Sequence, residues 1–153
     1  RYVDKAVSAG TAYTYAVAAV DGALNESEPV SAGEVKVERQ RVPVTFNVTV
    51  PDYTKNGAGD VYLAGDLGAD DLPYWDPAGV VMTQIDDQHW TVTLNIPEGA
   101  SLQYKYARGT WNAVEKGTEC EEIANRTLKV EQGVPSIEVD DVVAKWRDLD
   151  KCG

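Results

Sequence analysis

The sequence predicts an all-β protein whose larger part is an antiparallel β-sandwich. Three observations carry this. Apolar and polar residues alternate with a period of two in one segment after another. Clusters of Asp, Asn, Gly and Pro separate those segments at roughly even spacing, and no stretch shows helical periodicity. The 153 residues are 43% hydrophobic, with 13 Gly, 7 Pro and a single Phe, which suits a folded β core rather than a disordered chain.

The elements follow in order. TAYTYAVAAV (11–20) alternates, with Tyr13, Tyr15, Val17 and Ala19 on one face. Asp21-Gly22 opens a turn that runs through Asn25, Glu26, Ser27 and Pro29. Val30 to Val37 reads as a second strand, and YVDKAV (2–7) is a candidate third. Three strands over some 40 residues bury too little apolar surface to close a sandwich alone. The stretch 39–43, RQRVP, breaks the pattern and serves as the linker between the two parts.

Beyond it, VTFNVTV (44–50) puts Val44, Phe46, Val48 and Val50 on one face, and the turn PDYTKNGAGD (51–60) follows. VYLAG (61–65) is apolar on both sides, as a central strand would be. GDLGADDLPYWDPAG (65–79) reads as a long loop and VVMTQI (80–85) as one strand. HWTVTLNI (89–96) groups Trp90, Val92, Leu94 and Ile96, and SLQYKYAR (101–108) turns Leu102, Tyr104 and Tyr106 inward and Lys105 outward. Residues 109–124 read as a polar loop around Trp111, RTLKV (126–130) as a strand and SIEVDDVVAKW (136–146) as the last one. That makes seven to eight strands over 44–147, with 148–153 as an extension.

Charge narrows the partners. Against 14 Lys and Arg stand 25 Asp and Glu, a formal charge of −11. The excess is spread over both parts, which argues against binding nucleic acid or an anionic membrane. One histidine, His89, excludes a metal site that needs two, and no cofactor or metal is expected. The pairs Asp70-Asp71, Asp86-Asp87, Glu121-Glu122 and Asp140-Asp141 lack both the separation of a glycosidase pair and the spacing of a calcium loop; they read as solvated turns. The chain does not begin with Met and reads as a piece of a longer protein.

The informative side chains are aromatic. Trp75 lies in a loop between Pro73 and Pro77, and Trp111 in a loop after a strand, whereas Trp90 and Trp146 fall in strand patterns and belong to the core or its edge. A proline-held ring has little entropy to lose on binding. Two such rings flanked by amides and a lysine would suit a neutral, hydroxyl-rich ligand.

At these residues the chain resembles the starch-binding domains of carbohydrate-binding module family 20. The resemblance runs over 44–147. VTFNVTV is similar to the family's first strand, VYLAGD (61–66) to its next, and Trp75-Asp76-Pro77 to its G-x-W-x-P segment. TVTLNIPEGASLQYKYAR (91–108) resembles its V-x-L-P-x-G-x-x-x-E-Y-K-F stretch, Trp111 its second tryptophan, Asn125-Arg126 its N-R pair and Trp146-Arg147 its closing W-R. Residues 1–38 resemble the last strands of a fibronectin type III module through Val7, Gly10-Thr11, Tyr13, AVAAVD (16–21) and NESEP (25–29). Tyr13 would be the tyrosine-corner residue, its hydroxyl tied to upstream backbone. The combination resembles the tail of secreted amylopullulanases and related multidomain amylases.

The resemblance implies an immunoglobulin-like sandwich, no catalysis, and a glucan site in which Trp75 and Trp111 stack on glucose while Lys105 and Asn125 bind hydroxyls. The partners it implies are an α-glucan and a covalently linked catalytic domain, in a secreted protein. Tyr74 is an insertion that adds a third ring or supports Trp75. Tyr53 is a candidate for one half of a second site, whose other half has no tyrosine here. In the oxidising setting of a secreted tail, Cys120 and Cys152 are a candidate disulfide, although nothing in the sequence fixes their distance. The competing reading is a structural or protein-interaction sandwich whose tryptophans are core.

Overall fold

Alternate residues of one strand make the centre of the molecule. Val42, Val44, Phe46, Val48 and Val50 are each at most 2% exposed, while Pro43, Thr45, Asn47 and Thr49 between them are half-buried. The structure, a computed structural model, describes residues 3–56, 59–149 and 152. They fall into two compact units, 1–40 and 41–153.

The first unit is an antiparallel pair, β1 (Ala12–Val17) and β2 (Val30–Lys36), with Tyr13 opposite Val35. The Tyr13 hydroxyl accepts the Ser8 N–H at 2.7 Å. No described side chain of this unit is buried, and Val17 is 69% exposed, so it has no closed core. The candidate strand at 2–7 is corrected: Val3 to Val7 carry none, and Tyr2 lies outside the described residues.

The second unit is a β-sandwich of two four-stranded sheets. One has the order β10-β8-β4-β5, from Arg126–Lys129, Ser101–Ala107, Tyr62–Asp66 and Val80–Val81. The other has the order β11-β3-β7-β6, from Ile137–Val142, Arg41–Thr49, His89–Pro97 and Thr83–Gln84. A two-stranded ribbon joins β12 (Lys145–Trp146) to β9 (Glu115–Lys116). The sheets meet through Phe46 on β3 and Tyr104 on β8, edge to face at 5.2 Å between ring centroids.

Several boundaries differ from the expected ones. Residues 41–43 are no linker but the start of β3. The pairing with β11 begins only at Val44, so Pro43 has an open side that accommodates its missing N–H. VVMTQI is two strands in different sheets: at Met82, 3% exposed, the chain crosses the core from β5 to β6. The segment 136–146 likewise divides between β11 and β12, and 109–124 holds a 3-10 turn (Trp111–Ala113) and β9. β11 runs parallel to β3, whereas the other paired strands are antiparallel. Alternation reports which side chains share a face, not the direction of the neighbouring strand.

One inward position of β11 is an acid. Asp141 follows Ile137 and Val139 on the half-buried face, and its Oδ2 accepts the hydroxyls of Tyr104 and Tyr106, each at 2.9 Å. Its Oδ1 takes Arg126 Nη1 at 2.8 Å, and Arg126 also reaches the fully buried Glu115 and the Val142 carbonyl. Asp141 is therefore no solvated turn residue. It satisfies two buried phenols and a half-buried guanidinium, which would otherwise cost free energy. The hub ties β8, β9, β10 and β11 together.

Candidate functional site

Trp75 is held by backbone. The residue has φ of +45°, a left-handed conformation unusual for a tryptophan, and its N–H donates to the Gly65 carbonyl at 2.9 Å. On its far side the Asp76 carboxylate accepts the Ala78 N–H, and the Asp76 carbonyl accepts the Gly79 N–H. The main chain at Trp75 is thus held by strand β4 on one side and a local turn on the other, while the residue stays half-exposed. Trp111 opens the 3-10 turn that follows β8, closed by Ala113 N–H to Thr110 O at 3.0 Å, and it is 39% exposed. The two indole centroids lie 6.2 Å apart with their planes at 45°.

Both rings line one open hollow of about 410 Å³, together with Lys105 and Asn125. That volume is of the size that small-molecule sites occupy. The Lys105 ammonium donates to the Ile123 carbonyl at 2.6 Å, with Ala124 O at 3.5 Å. This aims the amine and leaves N–H capacity for a ligand. Burial holds its pKa below the ordinary lysine value, and Glu115 and Glu122 pull in the opposite direction. Asn125 is exposed, and its amide donates to Gln103 Oε1 at 3.1 Å, leaving its carbonyl and second N–H for other partners.

The structure therefore brings Trp75, Trp111, Lys105 and Asn125 to one place. Tyr74 is 73% exposed and is not among the residues lining the hollow. Tyr53, in the 3-10 turn Asp52–Asn56, packs its half-buried ring on the core with its hydroxyl buried. Cys120 and Cys152 form a disulfide, with Cα atoms 5.4 Å apart, that joins the loop before Asn125 to the C-terminal extension. Three more residues line the hollow: Val114, Glu122 and Arg147. Sequence reasoning missed Val114 and Glu122 because the loop 109–124 has no alternation to show which side chains face inward, and Glu121-Glu122 resembles a solvated turn; it missed Arg147 because that residue stands just past the last alternating segment, where the pattern no longer assigns a face.

Comparison with known families places the chain. The model of the starch binding domain matches residues 41–139. The chain belongs to that family. The starch-binding domain is a non-catalytic carbohydrate-binding module, here built as an all-β sandwich. The chain is 40% identical over 150 residues to the amylopullulanase of Thermoanaerobacterium thermosulfurigenes, covering 97% of this chain and 8% of that protein. It is 40% identical over 151 residues to that of Thermoanaerobacter thermohydrosulfuricus, covering 97% and 10%. It thus spans a tenth or less of the length of these relatives. Among solved structures it is similar to a glycoside hydrolase family 15 glucoamylase from Hypocrea jecorina, with 25% identity and a TM-score of 0.51 over 70% of this chain and 17% of that one.

Proposed function

We propose that the Trp75–Trp111 hollow is the glucan site of this starch-binding domain. In this reading an α-1,4-glucan lays the C–H faces of adjacent glucose units on the two indoles. Lys105 and Asn125 then hydrogen-bond its hydroxyls. The observation that carries it is the pair of half-open rings, tilted by 45° and backed by an aimed ammonium and an amide in one hollow. Tilted rings follow the natural curve of an α-1,4-glucan and fit a flat chain poorly. Burying ~100 Å² of apolar surface per ring at ~25 cal/mol/Å² gives about 2.5 kcal/mol each. Ordering the sugar reduces that sum, which leaves affinities around the micromolar range. Tyr74 stands next to this site as an exposed ring for a longer glucan.

The domain serves, in the same reading, to hold an attached amylase- or pullulanase-type catalytic domain on starch or glycogen. The amylopullulanase relatives, which are much longer than this chain, support this. Residues 1–38 are the C-terminal strands of a fibronectin type III-like spacer, supported by the Tyr13 hydroxyl tied to Ser8 and by the absence of a closed core. The Cys120–Cys152 bridge supports a secreted setting.

Tryptophan fluorescence during titration with β-cyclodextrin tests ligand and site together. Trp75→Ala and Trp111→Ala should each lose about 1–3 kcal/mol of binding, by analogy with ring stacking on other planar ligands. Both should unfold at nearly the wild-type temperature, because neither ring is buried. Unaltered binding in both variants, or loss of the fold in either, would place the site elsewhere.

A further inference from the structure

One wall of the hollow carries a guanidinium with unspent donors. Arg147 follows the fully buried Trp146, whose indole N–H donates to Thr54 Oγ1 at 2.8 Å. The Arg147 N–H donates to the Val114 carbonyl at 2.9 Å. Its main chain is therefore fixed, while its side chain is 49% exposed and lines the hollow. Arg41, Arg108 and Arg126 each hold a carboxylate oxygen at 2.8–2.9 Å. Arg147 differs. Its nearest carboxylate, Glu122, stands at 4.0 Å, beyond hydrogen-bond length, and its side chain makes no hydrogen bond among the described residues. Glu122 in turn is gripped by the nearly buried ammonium of Lys116.

We propose that Arg147 is a further sugar-contacting residue, whose guanidinium donates two parallel N–H bonds to neighbouring hydroxyl oxygens of one glucose unit while the Glu122 carboxylate accepts from a third hydroxyl. This rests on reading the hollow as the glucan site. A guanidinium presents its donors as a rigid planar fork, which matches two acceptors held side by side. The 2- and 3-hydroxyls of a glucose in an α-1,4 chain are such a pair. A carboxylate close to that fork fits a ligand that can both accept and donate, as hydroxyls do. It disfavours an anion, which the chain's formal charge of −11 also repels. Arg147 lies outside residues 41–139, the span matched by the family model.

Calorimetric titration of the full chain with β-cyclodextrin tests the proposal, using Arg147→Met, Arg147→Lys and Trp75→Ala beside the wild type. Arg147→Met keeps the apolar stem and removes the fork. It should bind about 5- to 30-fold more weakly with an unchanged unfolding temperature. Arg147→Lys keeps the charge without the planar fork and should recover only part of the loss. Full recovery by lysine would overturn the fork in favour of a simple positive charge. If Trp75→Ala loses affinity and Arg147→Met does not, the proposal fails and the glucan site stands; if neither does, the glucan site itself is wrong. An Arg147→Met chain that binds β-cyclodextrin normally and loses affinity only for a phosphate monoester of maltodextrin would make Arg147 an anion contact instead.

Discussion

Gly65 shows how a residue outside the lining of the hollow shapes it. A Cβ placed there would stand 2.1 Å from the Gln103 carbonyl oxygen and 2.7 Å from Tyr104 Cα, both backbone atoms of β8. β4 and β8 can lie this close only with no side chain between them. The same glycine's carbonyl accepts the Trp75 N–H and so helps hold that residue at positive φ. Gly65→Ala is expected to push the two strands apart and release the indole. The cost should be about 1–3 kcal/mol, as for other substitutions that force strain into a packed interior. Urea unfolding followed by tryptophan emission measures it, and a midpoint equal to wild type would show that β4 and β8 do not need the glycine. The backbone hold also explains why Trp75 is less open than its loop position suggests: its N–H is spent on a strand of the sandwich. Trp111, in a turn of three residues, keeps more of its ring in solvent.

Among the elements, the hub of Glu115, Arg126 and Asp141 ties together strands that lead into the hollow. Arg126 opens β10 directly after Asn125, and Glu115 opens β9 directly after Val114. Two walls of the hollow are thereby tied to one half-buried guanidinium. Tyr104 and Tyr106 complete the hub, and burial, reinforced by the Asp141 charge, pushes both phenols above the ordinary tyrosine value of 10. The sign follows from proton linkage. Above pH 10 the unfolded chain loses these protons while the folded one keeps them, so stability present below pH 10 is lost as pH rises. The unfolding temperature should therefore fall steadily above pH 10. The fall should be shallower in Tyr104→Phe with Tyr106→Phe, each measured against its own value at pH 8. An equal slope in the double variant would mean that other groups drive the alkaline loss. The surface pairs behave differently. Arg41–Asp71 and Lys55–Asp87 join exposed side chains, where solvent screens the attraction, so they add little to stability.

For the whole molecule, the buried core and the proposed site lie in one unit. The buried core and every residue lining the hollow lie within 41–153, and the first unit buries no described side chain. Residues 41–153 produced alone should fold and bind β-cyclodextrin within about twofold of the full chain, a difference near 0.4 kcal/mol. A tenfold weaker affinity on calorimetric titration would give residues 1–40 a part in the site. The sequence by itself determined the side-chain alternation of β3, β7 and β8, because a period of two is a local property of the chain. It also set Trp75 and Trp111 apart, since neither belongs to an alternating run. Only the tertiary structure decided that β11 lies parallel to β3, and that VVMTQI changes sheets at Met82. It alone made Asp141 the shared partner of two buried tyrosines, and it alone joined Glu122 and Arg147 to the hollow. Each of these depends on which distant segment lies alongside, and pairing between residues tens of positions apart leaves no periodic trace in either one.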